Sequence, residues 1–151
     1  MRIVAQRIRE AKVIIDKKQF SSIGKGLLLL VAIGKDDTYK DISYLANKIK
    51  NIRIFDDNNK KMNLDINQIK GEILSVPQFT LYADTLKGNR PGFDEAASPA
   101  VAEKMWKEFN GLLRSEGISV KEGQFAAKME VQLVNDGPVT IWLDSRKYEK
   151  S

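Results

Sequence analysis

Gly26-Leu27-Leu28-Leu29-Leu30-Val31-Ala32-Ile33-Gly34 is an unbroken apolar run closed by glycine at both ends. Such a run is far short of the roughly 20 residues that cross a bilayer. It matches a strand covered on both faces, which shows no alternation because neither side meets water. A sheet with layers on both sides is therefore expected, and the flanking sequence supplies them. Upstream, residues 3–15 are β-branched and partly alternating, as in a first strand. Downstream, Asp36-Asp37-Thr38 is a capping cluster, after which Ile42, Leu45, Ala46 and Ile49 recur at helical spacing. That pattern predicts a helix to about Asn51 whose apolar face covers the sheet. Residues 52–55 read as a short strand ending in the turn Asp56-Asp57-Asn58-Asn59, and residues 72–82 as a strand interrupted by Pro77. A second helix starts at Ser98-Pro99, carries Val101, Met105, Phe109 and Leu112 on one side, and ends at Gly117. Met129, Val131 and Leu133 alternate, Asn135-Asp136-Gly137-Pro138 turns, and Val139, Ile141 and Leu143 return, which reads as a hairpin. The fold class is a sheet with helices, α/β or α+β.

At 151 residues, with no repeat and no Pro/Gly/Ser linker, the chain is expected to form one domain over residues 1–151, with a short charged tail from Arg146. There is no cysteine and no histidine. Disulfides, thiolate metal sites and Ser-His-Asp or Cys-His nucleophilic machinery are thereby excluded. Carboxylates, hydroxyls, lysines, backbone groups and whatever the substrate brings remain for chemistry. The N-terminus reaches polar residues too early for a signal peptide, so the expectation is a cytoplasmic protein with no membrane span. The charge of +5 is unevenly placed. Residues 1–25 hold seven basic and two acidic side chains, a difference of +5, and the remaining 18 basic and 18 acidic residues cancel. A basic segment on a neutral body fits a polyanion footprint, because Lys and Arg gain affinity by releasing phosphate counterions, although on charge alone a solvated strand face is the more ordinary reading.

Three segments break local rules. In Ser75-Val76-Pro77-Gln78-Phe79-Thr80-Leu81 the proline removes a ladder donor, and Gln78 and Thr80 bring polar groups into an apolar setting. In Asn135-Asp136-Gly137-Pro138-Val139-Thr140 the Asp-Gly pair suits a hairpin turn, yet Pro138 stands where a returning strand needs an N–H. Lys87-Gly88-Asn89-Arg90-Pro91 is a basic loop. Taken singly, each has an ordinary reading: an edge strand, a turn, a solvated connection.

Together, and in this order, they make the chain resemble the D-aminoacyl-tRNA deacylase family, also called D-tyrosyl-tRNA deacylases. The resemblance runs over essentially the whole chain. It takes in Gln6-Arg7, Gly26-Leu27-Leu28, Arg53-Ile54-Phe55, Lys61-Met62-Asn63-Leu64, residues 78–84, residues 87–91 and residues 135–140. It implies a mixed, largely antiparallel, barrel-like sheet with two main helices. It also implies a homodimer that needs no metal or other cofactor and hydrolyses the ester of D-aminoacyl-tRNA, or of glycyl-tRNA mischarged on a non-cognate tRNA, as chiral proofreading in translation. The catalytic set it implies is Gln78, Phe79 and Thr80, with the Phe79 N–H and the Thr80 hydroxyl holding the ester carbonyl. Gly137 and Pro138, joined by a cis peptide, would form a backbone filter that rejects L-amino acids from across the dimer. Asn135, Val139 and Thr140 belong to the same substrate-facing loop, and Lys87, Arg90 and Arg7 are the expected tRNA contacts. One position departs from the pattern: Pro77 stands where the family has serine before the glutamine, and Ser75 lies two positions too early to replace it. That change keeps two alternatives open, a related editing enzyme for mischarged L-alanyl-tRNA and a non-catalytic RNA-binding module.

Overall fold

The computed structural model describes residues 1–147; the rest of the charged tail lies outside the described residues. Eight strands and two helices follow in the order β1 (Arg2–Ile15), β2 (Lys18–Ile23), β3 (Gly26–Ala32), α1 (Tyr39–Asn51), β4 (Phe55–Asp56), β5 (Met62–Leu64), β6 (Glu72–Pro77), α2 (Pro99–Ser115), β7 (Ser119–Glu122) and β8 (Glu130–Asp144). The apolar run is β3, flanked by β1 on one side and β6 on the other. β1 pairs antiparallel with β2, β3 and β8, whereas β3–β6 and β6–β7 are parallel, so the expected mixed, largely antiparallel sheet is present. It curls toward closure. The Ser21 hydroxyl donates to the Glu122 carbonyl at 2.8 Å and the Lys121 ammonium to the Ser22 carbonyl at 2.9 Å, tying β2 to β7.

Alternation along β1 and β6 sorts side chains to the two faces. Ile3, Ala5, Leu27, Leu29, Val31 and Ile73 point toward the helices, where they bury Ile42, Leu45 and Ile49 of α1 and Trp106, Phe109 and Leu113 of α2. Each of these helical side chains contributes about 1.5–3 kcal/mol by leaving water. On the opposite face Ile8, Val13, Leu28, Leu74 and Val76 form a smaller core, over which Leu30, Met129, Val131 and Leu133 remain only half-covered. α1 is capped as its sequence predicts. The Thr38 hydroxyl accepts from the Lys40 N–H, and the Asp41 carboxylate accepts from the Thr38 N–H at 2.8 Å, a capping box.

Several boundaries differ from the sequence reading. β2, β5 and β7 lack the apolar alternation that marks a strand, and they form because a neighbouring strand presents a free edge. The strand expected to reach Tyr82 stops at Pro77, and residues Phe79–Tyr82 wind into a 3-10 turn. The buried face of α2 is Ala102, Met105, Trp106, Phe109 and Leu113; Val101 is exposed and Leu112 half-buried, one position off the predicted stripe. The expected hairpin at residues 135–138 is instead one continuous β8. Asn135 pairs with Ile8 and Thr140 with Gln6, so residues 136–139 oppose Arg7 alone and bulge outward. Because the pairing resumes beyond the bulge, Pro138 sits where no ladder donor is needed.

Candidate active site

The parallel strands β3 and β6 end side by side, and ligand sites in such sheets lie beyond the carboxyl ends of strands. Here that position holds an apolar cavity of about 570 Å³, within the size range of small-molecule sites. Val31, Ala32 and Ile33 close it from the end of β3, and Val76, Pro77, Gln78 and Phe79 from the end of β6 and the turn that follows. Ala102 and Trp106 of α2 line its floor, and Phe125, Met129 and Val131 its far wall. Phe79, 56% exposed, meets Phe93 edge-on at 4.9 Å at the rim.

Gln78 and Phe79, singled out in the sequence, line this cavity. The Gln78 N–H still donates to the Val31 carbonyl at 2.7 Å, the last rung before the chain turns. The N–H groups of Phe79 and Thr80 then open a 3-10 turn, where the first donors have no intrahelical acceptor. The Gln78 carboxamide donates to the Thr80 hydroxyl, leaving that hydroxyl's own proton to be offered elsewhere. Ser75 cannot stand in for the serine replaced by Pro77. It is fully buried and accepts the Trp106 indole N–H at 2.8 Å. Pro77 itself reaches the cavity wall as a ring without a donor.

The second motif is built as a braced bulge. The Asn135 carboxamide accepts from the Val139 N–H at 2.9 Å and donates to the Thr140 hydroxyl at 3.1 Å; Gln6 donates to the same hydroxyl at 3.4 Å. The Gly137–Pro138 peptide is cis, and Gly137 lies at φ +141, a region open to glycine. A Cβ on Gly137 would stand 2.8 Å from the Val139 side chain and 3.1 Å from the Arg7 guanidinium. Arg7, read from the sequence as a tRNA contact, lies buried beneath the bulge. Its guanidinium donates to the carbonyls of Asp136 at 2.8 Å and Ile54 at 2.7 Å and pairs with Asp56. It holds the loop and does not face solvent.

The two motifs do not meet within one chain. None of residues 135–140 lines the cavity. Of the basic N-terminal residues, Arg2 is likewise turned inward, stacked 4.3 Å from the Tyr82 ring and bonded to Asp144 and the Leu81 carbonyl. Sequence reasoning missed this support behind the 3-10 turn, and it missed the far wall at Phe125 and Met129, since neither carries a chemical signature. Burial and the neighbouring Asp37 push the Tyr82 hydroxyl above its ordinary titration range, so it stays protonated.

Residues 4–144 match the family model described as D-Tyr-tRNA(Tyr) deacylase. The chain belongs to that family. Proteins named D-aminoacyl-tRNA deacylase from Thermosipho africanus and Clostridioides difficile are 52% and 50% identical to it over 147 residues, covering 97% of this chain and 99% of each relative. Among solved structures, one titled c-Myc DNA Unwinding Element Binding Protein is 38% identical, with a TM-score of 0.90 over 95% of this chain and 98% of that one. A probable eukaryotic D-amino acid tRNA deacylase, 17% identical, has the same fold at a TM-score of 0.80 over 94% of this chain and 97% of that one. The Gln78–Thr80 wall and the Gly137–Pro138 bulge thus sit on opposite sides of β1. Among the described residues no group of three or more acidic side chains is placed to hold a metal ion, and no helix is long and apolar enough to cross a membrane.

Proposed function

We propose that the protein hydrolyses the ester joining a D-amino acid to the 3′-terminal adenosine of tRNA, releasing the free amino acid and the tRNA, and that it treats mischarged glycyl-tRNA likewise. The observation that carries this reading is the Gln78–Thr80 wall, with unshared donors, at the mouth of an apolar cavity lined by aromatic rings. A purine suits such a cavity, since Phe125 and Trp106 offer flat apolar surface. With the adenosine seated there, the ester carbonyl lies toward Phe79 and Thr80, whose N–H and hydroxyl stabilise the oxyanion as water adds. Thr80 positions and does not attack. A threonine hydroxyl is a weak nucleophile without a base, and the chain has no histidine. The substrate's own 2′-hydroxyl assists the departure of the 3′-oxygen, which leaves protonated as the acyl group takes up water.

Rejection of L-amino acids follows from backbone atoms, because side chains of every size must pass. The Gly137 and Pro138 carbonyls of a second copy face the substrate α-carbon and leave room only for hydrogen. A homodimer fits two features: the half-covered apolar face at Leu30, Met129, Val131 and Leu133, and the 15-residue strand β8, which pairs only with β1 among the described residues. Lys87 and Arg90, exposed beside the site, hold tRNA phosphates. Pro77 favours a second reading, cleavage of L-alanyl-tRNA, and a third in which RNA is bound without hydrolysis.

Hydrolysis of matched D- and L-aminoacyl-tRNAs separates the three. The account expects D-aminoacyl-tRNA and glycyl-tRNA to be cleaved and L-alanyl-tRNA spared. Cleavage of L-alanyl-tRNA supports the second reading, and binding without turnover the third.

A further inference from the structure

Beyond the 3-10 turn the chain makes a closed excursion. Asp84 and Gly92 exchange two backbone hydrogen bonds, each 2.8 Å, so residues 85–91 form a loop pinched at its base. The Asp84 carboxylate accepts the Leu86 N–H at 2.9 Å and sets the direction of the first limb. One end of the loop leaves the Phe79–Tyr82 turn and the other enters Phe93, which packs on Phe79 at the cavity rim. The loop is therefore fastened to the site on both sides. Its tip carries Leu86, 92% exposed, between a pinned base and the cations Lys87 and Arg90. Neither cation joins an ion pair among the described residues. A pinned loop that offers a bare leucine and two free positive charges beside a cavity has a surface suited to an unpaired nucleotide, whose base is apolar on its faces and whose phosphate is anionic.

We propose that the Asp84–Gly92 loop is a docking arm for the single-stranded 3′ end of the substrate RNA. Leu86 packs on the face of a base upstream of the terminal adenosine, and Lys87 and Arg90 take the phosphates on either side of it. This rests on the functional reading above, which seats the terminal adenosine in the cavity. From that seat the next nucleotides leave over the rim formed by Phe79 and Phe93 and reach the loop first. The arm thus supplies affinity for RNA that the cavity does not, and selects aminoacyl ends that continue into a strand.

The test compares kcat/KM on D-aminoacyl-tRNA with kcat/KM on 3′-O-D-aminoacyl-adenosine, which has no upstream nucleotide. Leu86→Ala lowers the ratio of the two about fivefold, as expected when a leucine side chain loses its apolar contact with a base face, and Leu86→Phe, whose ring can stack on that base, keeps the ratio at or above that of the unaltered protein. Lys87→Ala combined with Arg90→Ala flattens the salt dependence of tRNA binding by about 1.4 in the slope of log K against log salt, the value for two single-strand phosphate contacts. An unchanged ratio in Leu86→Ala with an unchanged salt slope in the double variant overturns the arm. So does a Leu86→Ala chain whose oligomeric state shifts, since the leucine then belongs to a subunit contact. Failure of the functional reading is distinct: the unaltered protein then cleaves neither ester.

Discussion

At the residue scale, the proposed chemistry rests on donors and on one glycine. In the proposed mechanism Thr80→Ala removes one of two donors to the developing oxyanion, which typically costs about 2.7–4 kcal/mol, roughly a hundredfold to a thousandfold in rate. Single-turnover hydrolysis should therefore slow yet persist, and no acyl-Thr80 species should be trapped; its capture would make Thr80 the nucleophile. Gly137→Val should abolish hydrolysis, with the fold checked by circular dichroism. Its Cβ meets Val139 and Arg7 within the bulge, and φ +141 is open to glycine alone. Full activity in Gly137→Val would contradict a backbone filter. Gln78, Phe79 and Thr80 stood out as candidates because polar residues after Pro77 break an apolar strand, and Gly137–Pro138 because the pair spoils a hairpin. Arg7 was misjudged for a physical reason. A basic residue in a basic segment reads as surface, and nothing local says that four residues of a distant strand will arch over it and call for donors beneath.

At the element scale, α1 and the bulge of β8 show opposite degrees of legibility. The helix announced its cap and its face, since Thr38, Ile42, Leu45 and Ile49 follow local rules that packing then obeys. Thr38→Ala should lower unfolding stability by about 1 kcal/mol in urea melts. Burial opposes ionisation of Asp41, but hydrogen bonds from Ser145, from the Thr38 N–H and from the Thr38 hydroxyl outweigh it and hold its carboxyl below the ordinary 3.8. A carboxylate lowered on folding stabilises above its unfolded value and loses that contribution as pH falls through the folded one. Asp41→Asn should thus destabilise at neutral pH, and the gap to the unaltered protein should narrow below about pH 4; a gap that stays constant into acid would refute the cap's electrostatic part. β8 was read as a hairpin because two residues of turn chemistry outweigh everything else in a short window. Its continuity depends on β1, 14 residues long, offering one edge to both halves. That pairing is set by residues more than a hundred positions away, which is why no local pattern contains it.

At the scale of the molecule, the two motifs of one chain do not meet, and the proposed site takes its second half from another copy. The cavity wall lies at the ends of β3 and β6, and the braced loop lies across β1 on β8. Light scattering at working concentration should give a dimer, and a monomer would remove the second copy the account needs. Turnover should survive EDTA once the magnesium bound to tRNA is controlled, because the chain lacks both cysteine and histidine as ligands. The sharing of the site is tested most directly by mixing two inactive proteins. One carries Gly137→Val, which spoils the loop; the other carries Ala127→Trp, which fills the cavity from its lining. In a mixed dimer one site receives both changes and the other receives neither. After unfolding and refolding together, the mixture should hydrolyse D-aminoacyl-tRNA at roughly a quarter of the unaltered rate, since half the dimers are mixed and each has one intact site out of two. A mixture as inactive as its two components, with mixed dimers shown to form, would place loop and cavity in the same subunit and contradict the shared site.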